Sequence, residues 1–475
     1  MTIDTAQLVA VIREVLAEHD GGPPRAAAPS TPRPGVQGDG VFADMDGAVN
    51  AAAAAAQEYR RCTMADRRRF VSAIREVMLK PENLDNMSVQ AVIETGMGNA
   101  EHKYLKNKAA AEGTPGVEDL ETTAWSGDEG LTTVEYSAYG VIGAITPTTN
   151  PTETVTCNSI GMLAAGNAVV FSPHPRAKNL TLWQVRQLNQ ALRAAGAPEN
   201  LIVTVSEPSI ENTNKMIAHP GVKMLVATGG PGIVKTVLSS GKKAIGAGAG
   251  NPPVVVDATA DIGYAAKCIV DGASFDNNVP CTAEKEIVAV DAVADLLKFE
   301  MVKQGAYEAS AEEVRRIEAL VLNQKRTGPD TGWVGKPAAE ILRAIGVEPP
   351  AGVRLIVCEV DASHPFVVHE LMMPVIGLVR VPDVDAAIAL AVELEHGYRH
   401  TAIMHSRDVK ALTRMGREIQ TTIFVKNGPS FNGLGIGGEG FPTFTIAGPT
   451  GEGLTRTRNF ARVRRCVLIG DLNVR

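Results

Sequence analysis

Cys281 stands in the stretch FDNNVPCTAEKEIV (residues 275–288), a polar approach kinked by Pro280 that leads into a β-branched run. A free cysteine is usually a small core hydrophobe. In a polar turn at the mouth of a strand it is also placed to act as a nucleophile. Asn150 lies in ITPTTNPTET (145–154), between two prolines, where a strand ends and a helix begins. An amide there either caps the helix or donates to a developing oxyanion. Three more stretches suit the close approach of a ligand. VATGGPGIVK (226–235) is a strand, a glycine turn and a helix, which can bring backbone N–H groups toward a phosphate, although it lacks the G-x-G-x-x-G spacing. AVVFSPHPRAK (168–178) ends a strand in a rigid turn carrying His174, Arg176 and Lys178, either a solvated loop or a site for a nucleotide's ribose or phosphate. AIGAGAGNPPVVVD (244–257) is a glycine-rich turn, with Gly248, before a buried strand; its small residues admit close approach.

The elements that must position these residues alternate. After two helical segments, AVNAAAAAAQEYRRC and MADRRRFVSAIREVMLK, short apolar runs follow one another with helical patterns between them: GVIGAITP, NAVVFSP, LIVTVSE, VKMLVATGG and PPVVVD. That β-α-β rhythm predicts a doubly wound parallel sheet with helices on both faces. A second alternation runs from about 280 to 445 through EIVAV, LIVCEV, VIGLVRV, TAIMHS and TIFVKN. No internal repeat is visible.

Composition narrows the function. The chain has 475 residues, 45% apolar, with a formal net charge of −7. This implies two or three domains and no basic footprint for nucleic acid. The six cysteines (62, 157, 268, 281, 358, 466) show neither C-x-x-C nor metal-ligand spacing. No metal is expected, and a reducing cytosolic setting is. The other five cysteines sit in helical or strand patterns and read as core; Cys157 is the one nearest the chemistry, in the helix after Asn150. No apolar run approaches the ~18 residues of a membrane span, and the N-terminus, with Asp4 and no long apolar core, does not read as a secretory signal. Residues 1–19 (MTIDTAQLVAVIREVLAEH) carry Leu8, Val11, Ile12, Val15 and Leu16 at helical spacing. Residues 20–40, with five prolines and five glycines, read as a flexible linker. A tethered amphipathic helix is a frayed terminus, an intramolecular clasp or a peptide that docks in another protein's groove.

In this order the pieces resemble the aldehyde dehydrogenase superfamily across about residues 41–470. PTTNP looks like that family's Pro-x-Asn-x-Pro stretch, with Asn150 one place later. ATGGPGIV is similar to its nicotinamide-side turn, with Thr228, Gly229 and Gly230; Cys281 falls at the nucleophile position. HELMMPV (369–375) resembles its Glu-x-Phe-Gly-Pro-Val stretch, with Glu370 expected at the nicotinamide ribose. The resemblance further implies dinucleotide contacts at Thr148, Ser172, Pro173, His174, Arg176 and Gly248.

The departures favour one branch. Hydrolytic members carry a water-activating glutamate where this chain has Ala247, and no acid occurs from Ala244 to Val256. Without a carboxylate water attacks poorly, so another nucleophile must release the acyl group. FSPHPRAK, GAGNPPVVVD and FTIAGPTGEGLTRTRNFARVRR resemble the CoA-acylating branch, and within it the propionaldehyde and acetaldehyde enzymes of bacterial microcompartments. This implies NAD and coenzyme A, a short-chain aldehyde, and a catalytic set of Cys281, Asn150 and His400, the last as base for the CoA thiol. It also implies a shell protein bound through residues 1–19, location in a cytoplasmic microcompartment and a homo-oligomer, dimer or tetramer, with no nucleic-acid or membrane partner. A hydrolytic or phosphorylating aldehyde dehydrogenase is the alternative.

The expected division is residues 41–247 as a Rossmann-type nucleotide-binding domain, with 126–139 in a small β oligomerisation arm, 248–445 as an α/β catalytic domain, and 446–475 as the C-terminal return and arm strand. The run of Arg456, Arg458, Arg462, Arg464 and Arg465 reads as a solvated face, as subunit salt bridges or as a contact for CoA phosphates.

Overall fold

The computed structural model describes residues 38–470; the expected helix 1–19 and the linker through residue 37 lie outside the described residues. Gly38–Gly40, read from sequence as the linker's end, already belong to the body. Gly38 bridges Val41, and Gly40, at φ +85°, packs so closely that a Cβ there would meet the Ile202 carbonyl at 2.4 Å.

The first sheet has six strands in the order Val41–Phe42, Ile202–Val205, Ala168–Pro173, Val141–Thr146, Val222–Thr228 and Lys243–Ala247. All its pairings are parallel. Strands 141–146, 168–173 and 202–205 are buried along their whole length, as expected of a sheet covered on both faces. The chain steps outward on one side from strand 141–146, then crosses to its other side at 222–228. Strand order therefore reverses at 141–146, and it is outside the C-terminal strand ends at such a point that open α/β sheets bind their ligands. The strand Lys243–Ala247 corrects the sequence reading, which had taken this stretch as turn. Its glycines and alanines give a weak strand pattern, but Gly246 is the only size that fits, since a Cβ would meet Val234 at 2.7 Å.

The second sheet has seven parallel strands, ordered Ala306–Glu308, Leu355–Glu359, Val375–Val381, Glu286–Val290, Pro253–Val256, Thr401–His405 and Ile423–Lys426. Strand 253–256 follows directly on the last strand of the first sheet, so residues 248–252 join the two. A third sheet is antiparallel: Gly130–Ala138 lies between Thr123–Gly127 and Ala461–Ile469. Every residue of the last strand except Ala461 is exposed. Cys466 is therefore exposed and not core; the strand pattern is there, but the sheet packs little of it against this chain. Cys157, Cys268 and Cys358 are buried.

Candidate active site

Cys281 lies in the turn that follows helix Ile262–Ser274 and precedes strand Glu286–Val290. Three consecutive residues ahead of it are left-handed: Asp276 at φ +50°, Asn277 at +53° and Asn278 at +64°. Such positions cost roughly 1–3 kcal/mol each in most residue types, less for Asp and Asn. Their side chains compensate locally. Asn277 Nδ2 donates to the carbonyls of Gly98 and Gly335. Asn278 Nδ2 donates to the carbonyls of Ala273 and Glu284. The Lys285 ammonium, buried, donates to Asn278 Oδ1 at 2.7 Å and to the carbonyls of Asn278 and Pro280.

Asn150 occupies the N-cap position of helix Pro151–Ala164 but makes no capping bond with its side chain. Its Oδ1 instead accepts from Lys106 Nζ at 2.5 Å, and its Nδ2 has one long contact, 3.3 Å to Thr149 Oγ1. Lys106 also meets Asp276 at 2.6 Å and Glu153 at 3.1 Å, with all three side chains fully buried. One helical turn earlier, Lys103 meets Asp276 at 3.0 Å and the Thr149 carbonyl at 3.2 Å.

The turn 248–252 brings in the other groups. A Cβ on Gly250 would lie 2.9 Å from both the Cys281 carbonyl oxygen and Cγ of His400. His400 is buried; its Nδ1 meets Thr401 Oγ1 at 2.9 Å, its backbone N–H donates to Glu395, and its Nε2 has no partner. Burial holds this ring's pKa down, to about 4, so the imidazole is neutral at pH 7. Glu370 accepts a hydrogen bond from the Gly250 backbone, and its Oε1 has no partner. Burial raises its pKa to about 7. The Cys281 thiol is pushed up to about 12, first by burial and then by the Glu370 charge, against the pull of Lys285 and Lys106. A carboxyl thus stands in electrostatic reach of the thiol despite the acid-free run from Ala244 to Val256.

The structure brings Cys281, His400, Glu370 and the Gly248–Gly250 turn together, and ties Asn150 to them through Lys106. The remaining sequence candidates line the C-terminal ends of the first sheet. Thr148 is half-buried in the loop before Asn150. Ser172 and Pro173 are buried, the Ser172 hydroxyl paired with Thr213 at 2.8 Å. His174 and Arg176 are exposed. Thr228 meets Thr445 through their hydroxyls at 2.7 Å, and Gly229 N–H donates to the Ala247 carbonyl. Of the C-terminal arginines, Arg456 and Arg458 both pair with the buried Asp119, while Arg464 and Arg465 are exposed on the last strand.

Sequence reasoning missed Lys103, Lys106, Glu153 and Lys285. The signal for the first two was the i, i+3 spacing in KYLKN, which puts both ammonium groups on one face of helix Ala100–Gly113.

A doubly wound parallel sheet joined to a second parallel sheet, with a cysteine in the turn before strand 286–290, is an α/β fold of the dinucleotide-binding kind. The chain belongs to the aldehyde dehydrogenase family, whose sequence pattern matches residues 38–439. It is 47% identical to the propanal dehydrogenase (CoA-propanoylating) of Citrobacter freundii over 475 residues, all of both chains. It is 49% identical to the acetaldehyde dehydrogenase (acetylating) EutE of Escherichia coli, over 94% of this chain and 95% of that one. Among solved structures, the propionaldehyde dehydrogenase of Rhodopseudomonas palustris with bound CoA and an acylated cysteine superposes with a TM-score of 0.91 at 64% identity, covering 92% of this chain and 100% of that chain. A propionaldehyde dehydrogenase from the fucose-utilisation microcompartment of Clostridium phytofermentans gives 0.90 at 49%, over 92% and 100%.

The residues present fit a nicotinamide dinucleotide. At the reversal point a Cβ on Gly230 or Gly232 would meet nothing within 4 Å, leaving the turn open to a ligand. The buried Thr146 Oγ1 and Glu370 Oε1 make no hydrogen bond within the described chain.

Proposed function

We propose that this chain is a CoA-acylating aldehyde dehydrogenase that converts a short-chain aldehyde (propionaldehyde or acetaldehyde), NAD⁺ and CoA to acyl-CoA and NADH. The observation that carries the reading is the turn at Gly250. It brings the His400 ring and the Cys281 backbone to one point, each 2.9 Å from where a Cβ would stand, in a run from Ala244 to Val256 that holds no acid.

Cys281 releases its proton to solvent and its thiolate attacks the aldehyde carbon, forming a thiohemiacetal. The Asn150 N–H directed away from Lys106 and the Cys281 backbone N–H stabilise the oxyanion; one such donor is worth about 2.7–4 kcal/mol. The chemistry NAD⁺ supplies when bound is acceptance of hydride, with Thr148, Thr228, Gly229, Gly230, Gly248 and Glu370 as its nearest contacts, and Ser172, Pro173, His174 and Arg176 toward the adenosine end. On Cys281 the adduct is then a thioester. The neutral His400 takes the proton of the CoA thiol, the CoA sulfur attacks the thioester carbon, and the Cys281–acyl bond breaks. Every bond exchanged is a thioester bond, so the transfer runs in both directions.

The reading divides the chain at the join of the two sheets, with residues 41–247 holding the nucleotide, 248–445 the chemistry and 446–475 returning to the arm. The three-stranded sheet of 123–127, 130–138 and 461–469 is the surface through which subunits assemble. Residues 1–19 bind a shell protein and place the enzyme in a cytoplasmic microcompartment; among the described residues no helix is long and apolar enough to cross a membrane. NADH formation from propionaldehyde and NAD⁺, followed by absorbance with and without CoA, tests the activity. Sustained turnover only with CoA is expected; steady turnover without it would replace this reading with a hydrolytic one. Deleting residues 1–19 should leave specific activity unchanged and abolish co-purification with shells.

A further inference from the structure

Among the described residues, the Lys106 ammonium is the one group bonded both to Asn150 and to the turn that carries Cys281. It is fully buried and makes three short contacts: Asn150 Oδ1 at 2.5 Å, Asp276 Oδ2 at 2.6 Å and Glu153 Oε1 at 3.1 Å. The two carboxylates raise its pKa, against the effect of burial. An ammonium has three donors and no acceptor. The amide of Asn150 must therefore turn its oxygen to Lys106 and its NH₂ the other way. Nothing else imposes that choice. The side chain makes no helix-capping bond, and its Nδ2 touches only Thr149 Oγ1, at 3.3 Å. A flipped amide would aim a carbonyl oxygen at the developing oxyanion.

We propose that Lys106 is a positioning residue for the oxyanion donor. It fixes the Asn150 amide in its donating orientation and, through Asp276, ties that donor to the left-handed turn ahead of Cys281. This rests on the reading of Asn150 as the oxyanion donor. Lys106 touches neither aldehyde nor cofactor; it acts through Asn150. Lys103, also on Asp276 and on the Thr149 carbonyl, holds the backbone of the same loop and leaves the amide's orientation to Lys106.

The test compares two reactions of Cys281 in the full-length enzyme. The pre-steady-state burst of NADH from propionaldehyde and NAD⁺ passes through an oxyanion, whereas alkylation by iodoacetamide does not. Lys106→Met should slow the burst by about 10²–10³-fold, the loss typical of one oxyanion donor, and slow alkylation far less. In an Asn150→Ala background the same substitution should cost less than about threefold more, because residues acting as one unit are not additive. Lys106→Met leaves Glu153 without its cation, so Lys106→Met with Glu153→Gln is the second variant. It keeps the Asp276–Lys103 pair and should give the same loss with an unchanged melting temperature. Equal loss of burst and alkylation, or full additivity with Asn150→Ala, would overturn the role of Lys106. An Asn150→Ala enzyme with an intact burst would instead overturn the reading beneath it.

Discussion

The backbone carbonyl of Cys281 and the imidazole of His400 face the same point on Gly250. Each lies 2.9 Å from where a Cβ would stand, so the two groups are separated by no more than twice that distance. The glycine is required by contact and not by conformation, since its φ is not left-handed. Gly250→Ala should drive the ring and the turn apart. We expect a loss in kcat of at least about tenfold, since an ångström of misplacement costs on the order of 10² in rate, with thermal stability lowered by the overpacking. Stopped-flow bursts and a melting curve measure both; an alanine enzyme with full activity would show that the contact has slack.

The thiol's reactivity depends on the Glu370 charge. With its pKa near 12, the thiolate fraction rises about tenfold per pH unit through the neutral range. Glu370 ionises near pH 7 and disfavours the thiolate above that pH, so alkylation of the free enzyme should climb less steeply across pH 7. Glu370→Gln removes the charge. Its alkylation rate should match the parent at pH 5, where Glu370 is protonated, and exceed it at pH 9. Iodoacetamide kinetics at both pH values check the sign.

His400 stays neutral down to about pH 4, so its charge does not change over the working range. His400→Ala should slow transfer of the acyl group to CoA by roughly 10²–10⁴-fold and leave the first hydride burst nearly unchanged. Single-turnover experiments that add CoA to preformed acyl-enzyme separate the two steps. Equal loss in both would remove the acyl-transfer role.

The C-terminal return hangs on Asp119. Its buried carboxylate accepts from the Arg458 backbone N–H and Nε, each at 3.0 Å, and from the Arg456 guanidinium. Asp119→Ala leaves two part-exposed cations unpaired. After allowance for solvent around the arginines, about 2–3 kcal/mol should be lost, read as a lower urea midpoint. Asp119→Asn, which keeps two acceptor lone pairs, should lose less.

Most strands of the two large sheets were legible in the sequence because strands buried on two faces appear as β-branched runs, whereas the short or small-residue strands Val41–Phe42, Lys243–Ala247 and Ala306–Glu308 were not. Cys281 and Asn150 stand out in the sequence because each lies in a punctuated turn at a strand end, whereas His400 is singled out by the family resemblance alone. The buried ionic groups were not. Lys103 and Lys106 look like the polar face of an ordinary helix, and only contact with Asp276, some 170 residues away, reveals that this face points inward. Glu370 escaped as a neighbour of the thiol for the same reason: the turn at Gly250 joins segments that the linear chain keeps apart. Cys466 was misread in the opposite sense, since a strand pattern records a sheet but not what the sheet packs on.

The antiparallel sheet also sets an order of events during synthesis. Strand 130–138 pairs first with its hairpin neighbour 123–127, while its other edge waits for a partner that lies 324 residues further on at the contact between Ala138 and Arg462. Some 324 further residues must be made before that edge is paired. Until then a nascent chain carries an open, β-branched edge, which is a template for pairing with its neighbours on the same messenger. When strand 461–469 is made, it covers that edge of strand 130–138 and becomes the edge of the sheet itself. Removal of strand 461–469, which uncovers strand 130–138, should be felt as insolubility before it is felt as lost catalysis.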